Sequence, residues 1–210
     1  GGMGVLVFIL SIVSISGGHF INLMRAESPG PSLEKISPKL KDTAKILYKI
    51  YLAMTVLQIV LLLVGGMPLF DSITNSLATA GTGGFAIKSA SIGAYDNAYF
   101  DIVITVFMVL FGVNFNLYYL LLIRKCKEFF KSEELRVYLG IYILSTLMIT
   151  VNITGRIYRS FFTSLRYGAF QAASIMSTTG FATANYDVWP EFSKSVLLLL
   201  MIVGTCASST

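Results

Sequence analysis

The sequence predicts an all-α membrane protein assembled from repeated units of helix, re-entrant loop and helix. Three observations carry that class. Of the 210 residues 55% are hydrophobic and only 13% charged, against about a quarter charged in a soluble domain, and the mean hydropathy is +0.73. The apolar residues gather in runs long enough to cross a bilayer. A Gly/Thr-rich stretch then recurs, with its flanking helices, at one fixed offset along the chain.

Apolar runs fall at Val5 to Phe20, Ile46 to Val64, Ile102 to Ile123 and Leu135 to Ile153, with a fifth beginning at Val196. The first four are expected to span, and the fifth is interrupted by the end of the sequence. Between them lie Pro68 to Ile87 and Phe161 to Ala184, each too short and too rich in Ser, Thr and Gly to cross. The opening GGMGVLVFIL has no basic leader and no small-residue cleavage site, so it reads as neither a signal peptide nor a natural start. Two cysteines, Cys126 and Cys206, suggest no disulfide framework.

The net charge of +5 is a matter of position. Arg25, Lys35, Lys39, Lys41, Lys45 and Lys49 fill one connection, and Arg124, Lys125, Lys127, Lys131 and Arg136 fill another. The positive-inside rule makes both cytoplasmic. The bilayer, and not nucleic acid, is the partner this charge implies. Residues 25–43, with three prolines and mixed charge, read as a solvated linker. The Ser/Thr/Gly stretches must then enter and leave from the extracytoplasmic face.

Sliding the sequence by 96 residues lays Gly84-Phe85-Ala86 on Gly180-Phe181-Ala182 and Thr82 on Thr178, and the helix from Ile102 on Leu198. Applied backwards, it makes the opening segment the second helix of an earlier unit. The expected organisation is therefore 1–24, inner helix of a first repeat; 25–43, linker; 44–123, second repeat; 124–134, cytoplasmic loop; and 135–210, a third repeat cut within its inner helix.

Irregular backbone at membrane depth is tolerated only where protein buries it or water lines it. Asp71 and Ser72 are expected to cap a half-helix from about Ile73 to Thr79, and a matching one runs from about Ser164 to Met176, each pointing its C-terminal, negative end at a Gly-rich turn. Thr82, Gly83 and Gly84 in one copy, and Thr178, Thr179 and Gly180 in the other, offer backbone carbonyls and hydroxyls. Phe85 and Phe181 are expected to pack the turns. Neither turn carries a carboxylate, so neutral oxygens for a monovalent cation fit better than a divalent site. Two loops do not encircle an ion, but four, pseudo-fourfold around a pore, do.

The segments GGMGVLVF, AESPGP, ATAGTGGF, STTGFATANYDVWPEFSK and GTCASST resemble the Trk/Ktr/HKT superfamily of potassium transporters, most closely its TrkH-type membrane subunits. The resemblance implies a potassium uptake protein of the cytoplasmic membrane with four helix-loop-helix repeats around one pore and one filter glycine per loop, Gly84 and Gly180 being the second and third. It implies an intramembrane gate loop at Gly204, Cys206, Ala207, Ser208, Ser209 and Thr210, with Ser208 where the family pattern has Gly. It also implies a homodimer, a cytoplasmic nucleotide-binding TrkA-type regulatory subunit, potassium as the transported ion held by filter carbonyls, and no bound cofactor or fixed structural metal. A sodium or sodium-coupled potassium transporter is the alternative within that architecture.

An enzyme is not expected: a hydrolase would need a base near the Ser/Thr loops, and the single His19 lies at the cytoplasmic end of its helix. Asn114 and Asn116 are expected to bond between helices, and Trp189 to sit in the interfacial aromatic belt. Asp96, Asp101, Asp187 and Glu191 read as helix caps or as an outer acidic vestibule.

Overall fold

The computed structural model describes residues 40–122 and 126–204. The expected first-repeat helix over 1–24, the linker up to residue 39, and Cys206, Ala207, Ser208, Ser209 and Thr210 lie outside the described residues.

Among the described residues eight α-helices follow one another: α1 (Leu40–Val64), α2 (Leu69–Ala80), α3 (Ala98–Phe111), α4 (Phe115–Leu122), α5 (Cys126–Lys131), α6 (Glu133–Ile153), α7 (Phe161–Met176) and α8 (Glu191–Val203), with 3-10 turns at Ser91–Tyr95 and Tyr186–Val188. No strand occurs among the described residues. The helices fall into two units. In the first, α2 lies against α1 and α3; in the second, α7 and α8 lie against α6. The units meet where α3 packs on α7.

Helices α1 and α6 contain the two stretches long and apolar enough to cross a membrane, Lys45–Val64 and Glu133–Ile153. Their faces are inverted relative to those of a soluble helix. Along α1 the buried positions Leu47, Thr55, Gln58 and Leu62 include two polar side chains, whereas Leu52, Val56, Leu57, Val60 and Val64 are exposed. Along α6, Ser145, Thr146 and Thr150 are buried while Val137, Ile143, Leu144, Leu147 and Val151 are exposed. That pattern suits a hydrocarbon surround: apolar groups face outward and polar groups find partners inside. At 1.5 Å per residue α2 is only about 18 Å long and α7 about 24 Å, short of the roughly 30 Å core of a bilayer.

The structure corrects several element boundaries. Helix α2 begins at Leu69 with Pro68 at its N-cap, a position that needs no N–H, and Asp71 lies in its first turn. The Ser72 hydroxyl donates back to Met67 O at 3.2 Å. Helix α7 begins three residues before Ser164. The run Ile102 to Ile123 is not one helix. It breaks after Phe111, across Gly112, Val113 and Asn114, before α4 resumes.

The break is held from outside. Tyr138 on α6 donates its hydroxyl to Val109 O at 3.1 Å, Tyr118 to Leu110 O at 2.7 Å, and Asn114 Nδ2 donates to Glu134 Oε2 at 3.1 Å. Val113 N turns to Leu110 O at 3.2 Å, so the interruption takes from Val109 O its usual donor four residues on, and the Tyr138 hydroxyl replaces it. Gly112 fits because the Tyr138 ring closes over it, with Cζ 3.0 Å from where a Cβ would stand. Asn114 therefore has the interhelical role expected of it. Replacing Asn114 by Ala is expected to lower stability by about 1–3 kcal/mol. Asn114→Asp, which sets a second carboxylate against Glu134 at a buried position, should cost more. Thermal melts of the two variants of the full-length protein in detergent check this, and equal losses would mean that Glu134 does not face Asn114.

Trp189 departs from the belt expectation. It is 2% exposed, set among Ile149, Ile153, Ala172 and Met176, because the 3-10 turn Tyr186–Val188 folds the chain back before α8 begins.

Candidate functional site

The two short helices end at the same kind of turn. After α2, Thr82 has φ +49° and Gly84 φ +63°; after α7, Thr178 has φ +57° and Gly180 φ +84°. Positive φ thus falls on alternate residues and recurs at the 96-residue offset. Glycine enters this region freely, but for a β-branched threonine it is a costly conformation that persists only when neighbours impose it.

They do so through the turn N–H groups, which fold back onto the helix ends. Thr82 N donates to Thr79 O at 3.1 Å and Gly83 N to Ala78 O at 2.8 Å; Thr178 N donates to Ile175 O at 3.0 Å and Gly180 N to Ser174 O at 3.3 Å. With the donors turned toward the helices, no backbone N–H among the described residues donates to the carbonyls of Thr82, Gly83, Gly84, Thr179 or Gly180. A row of such carbonyls is what a dehydrated monovalent cation needs in place of its water shell.

The two turns touch. A Cβ on Gly84 would overlap Thr179 O and lie 3.0 Å from Thr179 C and 3.1 Å from Gly180 C, whereas a Cβ on Gly180 would meet nothing within 4 Å. Beyond the turns, the 3-10 segment Ser91–Tyr95 clamps the second loop. Gly93 N donates to Ala182 O at 3.0 Å, and Ala182 N to the Ser91 hydroxyl at 3.2 Å.

A shell of fully buried polar side chains fixes each turn. Ser174 Oγ donates to Phe181 O at 2.6 Å, and the Ser177 and Thr179 hydroxyls share a bond of 2.7 Å. Gln58 Nε2 donates to Thr79 Oγ1 at 3.0 Å, which itself donates to Asn75 O at 2.7 Å. At the outer side Tyr95 donates to Asp71 Oδ2 at 2.5 Å. Burial, and then the Asp71 carboxylate, push the Tyr95 hydroxyl up to about 12, so it remains a donor at any physiological pH. Sequence reasoning passed over Gln58, Asn75, Gln171 and Ser174. The signal was present as polar residues inside or beside apolar runs, which membrane burial makes costly unless they have partners.

The phenylalanines diverge. Phe181 is 1% exposed and packs its loop as expected, but Phe85 is 82% exposed, and among the described residues nothing covers it. The acidic residues also divide. Asn97, not an aspartate, caps α3; Asn185 accepts from Asp187 N; Glu191 pairs with Lys194 at 2.6 Å on the surface; and Asp101 is buried beside Arg166. Of the expected gate loop only Gly204 is described. It closes α8, with its N–H donating to Leu200 O at 2.7 Å, and a Cβ there would lie 2.5 Å from Met176 O at the end of α7. The start of that loop therefore abuts the helix that carries Thr178 to Gly180.

The chain matches known proteins along its whole length. Residues 1–210 match the family described as TrkH, cation transport protein. The chain is 36% identical to the Trk system potassium uptake protein TrkH of Salmonella typhimurium, over all of this chain and 44% of that protein. It is 35% identical to the protein of the same name from Escherichia coli K12, again over all of this chain and 44% of the relative. The crystal structure of the potassium transporter TrkH from Vibrio parahaemolyticus superposes with a TM-score of 0.78 at 28% identity, covering 99% of this chain and 42% of that one. The chain thus spans less than half the length of the relatives it matches. It belongs to the TrkH family of cation transport proteins, an all-α membrane family of transporters and not of enzymes.

Proposed function

We propose that the protein containing this chain takes up potassium across the cytoplasmic membrane through a filter of backbone carbonyls, of which Thr82, Gly83 and Gly84 supply one quarter and Thr178, Thr179 and Gly180 the next. The observation that carries this reading is the recurrence of one backbone conformation in two loops that touch at Gly84 and Thr179, with the carbonyls of Thr82, Gly83, Gly84, Thr179 and Gly180 taken by no backbone N–H among the described residues. Relatives named for potassium uptake agree with it. By the same quasi-symmetry, further loops complete a pseudo-fourfold ring, and the open side of Gly180 is where the next one stands.

The filter loops face outward, and the basic connections, of which Lys41, Lys45, Lys49, Lys127, Lys131 and Arg136 belong to the described part, face the cytoplasm. There they suit anionic lipid and a TrkA-type nucleotide-binding partner. Gly204 begins an intramembrane gate that runs on through Cys206 and Ser208, below the filter. The protein acts as a homodimer, needs no cofactor, and holds potassium only as cargo.

The full-length protein is expected to restore growth at low potassium to a bacterial strain without its own uptake systems, and its rubidium uptake should be competed by potassium far better than by sodium. Equal competition by sodium would favour the sodium-carrying alternative and overturn the potassium filter.

A further inference from the structure

Among the described residues a charge pair, with Asp101 buried and the Arg166 side chain 23% exposed, stands at the junction between the two units, apart from the turns. Asp101, in the first turn of α3, is 3% exposed, and its Oδ2 lies 3.3 Å from Arg166 Nε on α7, an approach without hydrogen-bond alignment. The guanidinium is itself held in place. Its Nη2 donates to Tyr167 OH at 2.5 Å, its central carbon stands 4.5 Å from the Tyr167 ring centre, and the exposed Asp96 carboxylate lies 3.8 Å away. Arg166 thus points out of its own unit toward the inner helix of the preceding one.

The pair is not dictated by the repeat. The position matching Arg166 in the first copy is Phe70, on the equivalent helix α2 and 70% exposed. A buried ion pair adds little net stability over an apolar pair of the same volume, yet removing one partner is costly, and its best-attested use is to fix register between elements. Here the two elements are those that carry the loops. Arg166 lies ten residues before Met176, about 15 Å along the axis of α7, and the Thr178 to Gly180 turn continues rigidly from that helix. A small tilt about Arg166 shifts the turn against Gly84.

Resting on the filter reading above, we propose that Asp101 and Arg166 are positioning residues for ion selection. Their pairing sets α7 against α3, so that the second and third filter loops meet at the separation that discriminates potassium from sodium. Neither side chain touches the ion. Their loss alters which ion passes more than whether ions pass.

The experiment uses the full-length protein in proteoliposomes, with rubidium uptake measured against sodium competition. Asp101→Asn and Arg166→Gln should each lower the preference for rubidium over sodium by roughly tenfold while maximal uptake changes less, and the combined Asp101→Arg, Arg166→Asp exchange should regain most of that preference. Gly84→Ala, measured alongside, separates the positioning role from the filter itself. If it loses discrimination while both single variants keep that of the wild type, the positioning role is overturned and the filter stands. If it too keeps discrimination, the filter reading falls and this role with it. Should neither single variant accumulate in the membrane, the exchange decides: recovered accumulation with recovered discrimination supports the pairing, and no recovery overturns it.

Discussion

Gly84→Ala will abolish selective potassium uptake, and in the full-length protein Gly180→Ala is expected to do the same. The two glycines hold equivalent positions in the repeat and similar left-handed backbones, at φ +63° and +84°, so the intrinsic strain of a side chain there, about 1–2 kcal/mol, is common to both. Their surroundings differ. Among the described residues a Cβ on Gly84 runs into the backbone of Thr179, which cannot swing aside as a flexible side chain would, whereas a Cβ on Gly180 meets nothing within 4 Å; in the full-length protein the next loop of the proposed ring stands on that side. The first substitution therefore adds displacement of the neighbouring loop to the shared strain, and that displacement falls on the contact between filter segments. Transport assays in cells without their own uptake systems, with membrane abundance as control, check both. A defect at Gly180 much milder than that at Gly84 would mean that no further loop stands against Gly180, and wild-type uptake by Gly84→Ala would mean that the loops do not touch as described.

The recurrence behind this prediction is legible in the amino-acid sequence. Thr-x-Gly at one offset needs only glycine's tolerance of positive φ and the outward placement of both stretches. The spans at α1 and α6 are legible for the same kind of reason, since twenty apolar residues leave little else to form. What escapes sequence reasoning is set by contacts distant along the chain. The break at Gly112 lies inside an apolar run whose composition favours continuity, and it is stabilised by Tyr138 and Glu134 from a later helix. Trp189 has the composition of a belt residue, but its place is decided by the turn before α8 and by the α6 and α7 side chains around it. Asp101 reads as a cap because it lies near a helix start. Its partner Arg166 is far along the chain, and nothing local marks it. Phe85 and Phe181 share a motif and not an environment, because repetition of sequence repeats a backbone without repeating its neighbours.

Gly204→Ala is expected to have the second largest effect, and its reason is closeness between the two halves of the third unit. At this glycine φ is −81°, which any residue adopts, so backbone strain plays no part. The constraint is space. A Cβ would stand 2.5 Å from Met176 O, 2.7 Å from Met176 Cα and 2.8 Å from Leu200 O, all backbone atoms of helices α7 and α8. One of the helices must move, and both are anchored: α7 by the Tyr142 hydroxyl of α6 donating to Ala169 O at 3.3 Å and by Arg166, α8 by Ser193 Oγ donating to Asn152 Oδ1 at 2.8 Å. If α8 yields, the proposed gate segment that begins at Gly204 is displaced and uptake loses its control. If α7 yields, the Thr178 to Gly180 turn shifts and selectivity falls. Flux and selectivity measured together on Gly204→Ala therefore report which helix is the softer one. Unchanged flux with unchanged selectivity would show that the end of α8 does not press against Met176, and would remove the physical basis for coupling the gate to the filter through this contact.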